Sequence, residues 1–397
     1  MDKGTARYKL IVATMMAGAY PCKSLDLVGG DRKTIWKAIN SLKDAGYIYI
    51  RKDSNGDGII NRLKMRMFDK QKSKLAQELY KEVEDIEISV ATSDEKKRRR
   101  DRIAEVLMMM QEAEVNVTGD SKPKPEDLSP IKEGSALLPY FITSLEARKT
   151  LPIKEDKGKA ARFHGTLISD GGMYNIYNMG PSFMEWVRPC EQEAVGFCES
   201  YAAKATPWGI GNNEWFGKSA IIMARDMGYI VNFVKGKVVT RGRKAENGKR
   251  PPATRERTLV NINEYYDHTF YIPLSQEGQV MLNIMTRKKW HYYLTGLIYS
   301  DDKRADAETR MSVACDGIDN GRYGLVFLDG DIGRLKRFVT LAEHADTPER
   351  FNIICYDFQE PYVRAVSPAG VIISAVDFKA FTNAYFDVYE QFEGGGE

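Results

Sequence analysis

Cysteine is sparse in this 397-residue chain and forms no paired motif. Cys22, Cys190, Cys198, Cys315 and Cys355 are five in number and include no CxxC. An odd, scattered set argues against a disulfide framework and a zinc knuckle, and fits a reducing cytoplasm. Long apolar runs are missing as well. No stretch reaches the ~18 consecutive apolar residues of a membrane span, and the opening MDKGTARYKL lacks the apolar core of a signal peptide. No membrane partner is therefore expected. Histidine is scarce: His164, His268, His291 and His344 stand far apart. That excludes HxH and HExxH metal motifs. Neither sign of charge dominates, with 58 Lys+Arg against 55 Asp+Glu. At ~150 residues per domain the length predicts two or three domains, enough to bury a core without staples.

The charge is unevenly spread. Residues 1–70 hold 14 Lys/Arg against 7 Asp/Glu, whereas the remainder holds 44 against 48. A basic first module on a nearly neutral body suits phosphate binding; a solvated basic face is the equal alternative. Within this module a helix is predicted over Tyr8–Ala19, with Leu10, Ala13, Thr14 and Ala17 on one side. Tyr20-Pro21 ends it, because a residue before proline is pushed out of the helical region. A short helix over Ser24–Val28 and a Gly29-Gly30 turn follow. Asp31 is a good N-cap for a third helix over Arg32–Asp44. Ile35, Ile39 and Leu42 share an apolar stripe. Lys33, Thr34, Lys37, Asn40 and Ser41 occupy the other side, and Trp36 between the faces suits packing. Lysine can contact guanine or phosphate, and asparagine can pair with adenine.

A strand over Tyr47–Arg51, the turn Asp53-Ser-Asn-Gly-Asp-Gly58 and a second strand over Ile59–Met67 make a hairpin. Arg51, Lys52, Arg62, Lys64 and Arg66 render it basic. The turn matches the first half of a calcium loop. The twelfth position, where a bidentate Glu is required, is Lys64, so a hairpin turn is expected.

This order, with KTIWKAINSLKDAGYI and then a basic hairpin, resembles the winged helix-turn-helix superfamily of bacterial regulators and replication initiators, over about residues 5–68. The resemblance implies double-stranded DNA as partner, with the third helix in the major groove and the hairpin on the backbone or minor groove. The implied contact set is Arg32, Lys33, Thr34, Lys37, Asn40, Ser41, Arg51, Arg62, Lys64 and Arg66. A winged helix that docks protein is the alternative.

Residues 71–115 read as a helical connector. Leu75, Leu79, Val83 and Ile86 form a stripe, Thr92–Glu95 fits a capping box, and a five-cation run, Lys96–Arg100, precedes Ile103, Val106, Leu107 and Met110. Such helices fold back on each other or pair with a second chain as a homodimer. The cation run suits a solvated face or a DNA contact. Residues 116–135, polar and rich in Pro and Gly, form a linker. Residues 136–397 are expected to form a mixed α/β domain, making the whole chain α+β. Helices are expected over 191–204, 214–227, 276–289, 332–342 and 378–391. Strands are expected over 161–168, 173–179, 229–234, 294–299, 323–328, 351–356, 362–366 and 371–376. Residues 235–257 hold nine Lys/Arg against two Glu, an exposed loop suited to a nucleic-acid backbone.

Chemistry is harder to place. Gly211–Ser219 is one residue too long for a phosphate loop. No nicking tyrosine stands out among 21, and His291-Tyr292 suits a packed aromatic cluster. Asp357 and Asp377-Phe-Lys379, joined through a hairpin, match the D…DxK of PD-(D/E)xK nucleases. There two carboxylates hold Mg²⁺ and a lysine steers the attacking water. Asp329 and Asp331 compete as a metal site, and Glu193 offers a carboxylate on an earlier helix; solvated turn acids are the alternative for all of them. Mg²⁺ enters only with a nuclease, and no other cofactor is indicated.

ARFHGTLISDGGMYNIYNMG, a Glu-bearing helix and the late acidic strand YGLVFLDGDIGRLKRF follow the N-terminal module. That order of parts resembles the replication-relaxation proteins of bacterial plasmids and integrative elements. It implies a DNA-binding protein of a mobile genetic element, acting at an origin in replication, relaxation or transfer (conjugation), with a nuclease-like C-terminal domain. A clean paired-carboxylate and lysine signature is missing. Two alternatives stay open: a transcription regulator with a C-terminal ligand- or partner-binding domain, and an active Mg²⁺-dependent nuclease.

Overall fold

The computed structural model describes residues 2–52, 63–67, 94–119, 137–150, 162–179, 218–236 and 265–393, with a few isolated positions between them. The predicted connector helix 71–91, Arg62 and nearly all of the basic loop lie outside the described residues, as does most of the linker.

The chain opens with α1 (Ala6–Ala17). The Thr5 hydroxyl accepts from the Tyr8 amide at 3.3 Å, and Gly18, at φ 83°, closes the helix. Every residue from Leu10 to Ala17 is buried, so most of α1 has no solvent face. Tyr20–Pro21 does more than end a helix: it is a short strand, β1, paired with β3. A 3₁₀ turn, Cys22–Leu27, leads to α2 (Arg32–Asp44). Strands β2 (Ile48–Lys52) and β3 (Leu63–Met67) complete a three-stranded antiparallel sheet in the order β1-β3-β2.

Helix α3 (Asp94–Glu112) starts inside the predicted capping box. From Ile103 to Gln111 every residue is buried. One side of α3 packs on α1, β1 and the 3₁₀ turn, the other on β6 and α6 of the body (ranges below). The α3 part of the predicted stripe, Ile103, Val106, Leu107 and Met110, is thus covered from within the molecule. Val115, Val117 and Thr118 are also buried, and Asn116 pairs with Tyr140, so the first residues of the predicted linker belong to the core.

The body holds two mixed sheets. The first runs in chain order: β4 (Tyr140–Thr143), β5 (Gly165–Ser169), β6 (Gly172–Asn178), β7 (Ser219–Ala224) and β8 (His268–Pro273). The β4-β5-β6 pairs are antiparallel and the β6-β7-β8 pairs parallel. Helices α4 (Ser144–Thr150) and α5 (Gly228–Val234) connect its strands. After β8 come α6 (Gln276–Met285), α7 (Trp290–Gly296) and α8 (Ala307–Val313). The second sheet, ordered β12-β11-β10-β9, contains β9 (Gly317–Asp319), β10 (Arg322–Val326), β11 (Phe351–Tyr356) and β12 (Ile372–Val376). It is parallel except at β9. Helices α9 (Ile332–Glu343) and α10 (Glu360–Val366) cross between its strands, and α11 (Phe378–Glu393) follows it. The turn after β10 touches the first sheet, where the Tyr271 amide donates to the Gly330 carbonyl at 2.7 Å.

The chain is therefore mixed helix and strand, as expected, but four segments exchange type. Residues 219–224 form strand β7, not part of a helix. Buried on both faces of a parallel sheet, this strand has no alternation to mark it. Residues 229–234 and 362–366, rich in β-branched residues, are helical in α5 and α10 because their apolar sides pack between elements. Residues 294–299 form the end of α7 and the turn after it. As a result, β11 and β12 are joined by a crossover helix rather than a hairpin. Among the described residues no helix is long and apolar enough to cross a membrane, and Cys22, Cys315 and Cys355 form no disulfide.

Candidate nucleic-acid interface and a charged cleft

Helix α2 is built as a two-faced rod. Asp31 accepts from the Lys33 and Thr34 amides at 2.8 and 3.0 Å and from the Thr34 hydroxyl at 2.6 Å. That hydroxyl, with the two amides, holds the Asp31 carboxyl below the usual range. Ile35, Ile39 and Leu42 are buried. Arg32, Lys33, Thr34, Lys37, Asn40 and Ser41 are all exposed, as the sequence pattern requires. Trp36 is half-buried against the core. In the hairpin, Arg51 pairs with Lys64 and Tyr49 with Arg66, so Arg51, Lys64 and Arg66 lie on adjacent antiparallel strands.

The cation run at the start of α3 is only partly solvated. Lys96 and Arg98 are exposed, but Arg99 and Arg100 are half-buried, and Arg99 donates to the Phe163 carbonyl at 3.2 Å. Nearby Glu191 is fully buried and accepts from the Arg162 and Phe163 amides. Burial raises its carboxyl to about 7.

The nuclease candidates separate into two groups. Asp357 and Asp377 follow the adjacent strands β11 and β12, and both are exposed, as is Lys379. Asp357 accepts from the Phe358 amide, and Asp377 accepts from the Ala380 amide at the start of α11. They are tied to local turns. Glu193, two residues beyond the buried Glu191, is half-buried.

Asp329 and Asp331, in contrast, lie in a buried cluster assembled from five segments. Gly330 sits between them at φ 73°, and a side chain there would collide with the Tyr271 carbonyl. Only glycine suits this turn, which brings both acids to β8 and to the start of α9. Arg334 is the hub. Its guanidinium donates to Asp316 at 2.5 Å and Asp329 at 3.3 Å, and lies 3.2 Å from His291 Nε2. Asp316 is fixed by the Val326 amide at 2.7 Å. Asp331 accepts from the Gly333 and Arg334 amides at 3.0 Å each, and its other oxygen lies 2.7 Å from His268 Nδ1.

These neighbours set the charges. Burial lifts the Asp329 carboxyl to about 7 against the pull of Arg334. Burial would raise Asp331 too, but the hydrogen bond and charge of His268, with Arg334, hold it below the usual range. Burial drives His291 down to about 3 and keeps it neutral. Asp316 and its two carboxylate neighbours engage protein donors, with Arg334 standing where a cation would otherwise balance them. Among the described residues no group of three His, Cys, Asp or Glu side chains is disposed to hold a metal ion. The acids of this cluster, already held by Arg334, His268 and backbone amides, do not fit the carboxylate pair of the Mg²⁺ site that a nuclease implies.

The cluster floors an open cleft of about 1130 Å³ between α8 and α9. Arg310, Lys336 and Arg337 line it, with His268, Asp267 and Tyr266 at the β8 end. Of this cluster, Asp329 and Asp331 are legible as candidates in the sequence. His268, His291, Asp316 and Arg334 are not, because they converge only when β8, α7 and the second sheet pack together.

Comparison with family models, with curated proteins and with solved structures finds no match.

Proposed function

We propose that this chain is a DNA-binding protein whose N-terminal unit is a winged helix-turn-helix with double-stranded DNA as its partner. One observation carries the reading: α2 buries Ile35, Ile39 and Leu42 while exposing Arg32, Lys33, Lys37 and Asn40 together. That is what a helix entering a major groove requires, and the basic strands β2 and β3 follow it in the position of a wing. The finer reading, a protein of a mobile genetic element acting at an origin in replication, relaxation or transfer, is supported by the order of parts alone.

The test is duplex binding by the full-length protein across a salt series. Binding should weaken steeply with salt as phosphate contacts release counterions, and the element's own origin should bind more tightly than its promoters. No binding at low salt overturns the DNA reading. Preference for a promoter, shifted by a small molecule, moves it to a transcription regulator, a second reading favoured by the open cleft in the body.

A further inference from the structure

We infer that the cleft between α8 and α9 is a second binding site, separate from α2, for the phosphate group of a nucleotide, either free or within a strand. Three features of its walls argue for this chemistry.

The first is the cationic rim. Arg310 on α8 and Lys336 and Arg337 on α9 line the cleft, and Arg337 is exposed. The acids that share the cleft sit mainly at its floor and its β8 end, with Asp316 also facing Arg310. Asp316 and Asp329 are committed to Arg334 at the floor, and Asp267 accepts from the Lys218 amide at 2.9 Å. Arginine is suited to planar, forked recognition of phosphate oxygens.

The second is His268. Its Nδ1 is held by Asp331, itself fixed by two α9 amides. A carboxylate in that place sets the ring's orientation and makes Nδ1 the protonated nitrogen. The imidazole is thereby presented on the cleft wall in one orientation. Asp331 is a positioning residue in this arrangement.

The third is an apolar lip. Met311 on α8 and Leu341 on α9 are 82% and 40% exposed and both line the same cleft. An apolar lip above a cationic wall matches a ligand that carries an aromatic base beside a phosphate.

The experiment titrates the full-length protein with inorganic phosphate, ATP and a short single-stranded oligonucleotide. Calorimetry reads affinity, and ¹⁵N NMR reads the His268 ring. Saturable binding of ATP, weakened at least tenfold by Arg337→Ala and by His268→Ala, supports a free nucleotide. Binding of the oligonucleotide alone, weakened to the same degree by both variants, supports a strand. Asp331→Asn should alter the His268 ring resonances and weaken binding in the same sense. Arg337 is exposed, so its variant keeps the test sound should a buried substitution unfold the chain. Absence of binding by all three probes overturns the proposal. So does binding that Arg337→Ala leaves unchanged, or oligonucleotide binding abolished by Lys37→Ala, which belongs to α2. A positive result here with no duplex binding would separate this site from the DNA reading above.

Discussion

Arg334 holds two buried carboxylates and touches a buried histidine, so its removal does more than empty the space it fills. Arg334→Leu leaves the buried Asp316 carboxylate without its partner cation and Asp329 without a hydrogen-bond donor. Breaking one side of a buried pair costs about 3–5 kcal/mol, and denaturant titration should show destabilisation of that size. The cluster also predicts an unusual pH response. His291, held down to about 3, remains neutral in the native state where the unfolded histidine takes up a proton. Alone, it makes stability fall as pH drops below about 6.5. Asp329, lifted to about 7, stays protonated where the unfolded carboxyl ionises. Alone, it makes stability fall as pH rises from about 4 to 7. The two slopes oppose each other. His291→Gln should therefore produce a protein that weakens from pH 4 to 7, and Asp329→Asn one that weakens from pH 6.5 downward. Each slope is at most about 1.4 kcal/mol per pH unit. Chemical denaturation at several pH values reads both. Identical slopes in the two variants would contradict the assignment.

At the scale of elements, α2 illustrates what a sequence reveals. A side-chain cap at Asp31, a clean apolar stripe and a polar opposite face are local signals, and helix limits read from them match those observed. Asn40→Ala and Lys37→Ala should each weaken specific duplex binding by about 1–3 kcal/mol, the worth of one hydrogen-bonded base. Both residues are exposed, so thermal melting should be unchanged. Elements β7, α5 and α10 lack such signals. Their apolar runs suit either secondary structure, and the decision is made by distant partners: β6 and β8 flank β7, while α5 and α10 pack together. The candidate cluster is similarly non-local. Asp329-Gly-Asp331 is visible as an acidic strand end, but nothing near it in sequence announces His268 or Asp316. The Gly330 turn is a further element-level test. Gly330→Ala combines left-handed backbone with a collision against Tyr271. It should cost more than about 1 kcal/mol and displace both acids.

At the scale of the molecule, α3 ties the N-terminal unit to the body. Glu112 accepts from Lys9 at 2.8 Å and from the Gly29 amide at 2.9 Å. Glu105 accepts from Ser24 at 2.6 Å on one side and from Asn178 at 2.9 Å on the other. Gln279 donates to the Leu27 carbonyl at 2.6 Å, and Arg225 pairs with Asp26 at 2.5 and 3.1 Å. Ser24, Asp26, Leu27 and Gly29 all belong to the short stretch that feeds α2. The unit and body should therefore unfold together, in a single calorimetric transition, and Leu107→Ala in α3 should destabilise the whole by about 2–5 kcal/mol. Two separate transitions would show that the junction is weaker than its packing implies.

The shared rod also governs how the reading head is aimed. Because the stretch before α2 is bolted down at several points, a duplex bound there, as proposed above, would meet the rest of the protein at one fixed angle instead of swinging on a leash. A piece cut before residue 94 would lack that mounting and would bare the greasy back of α1. Clumping of such a stub would reflect the cut rather than the head's grip on DNA.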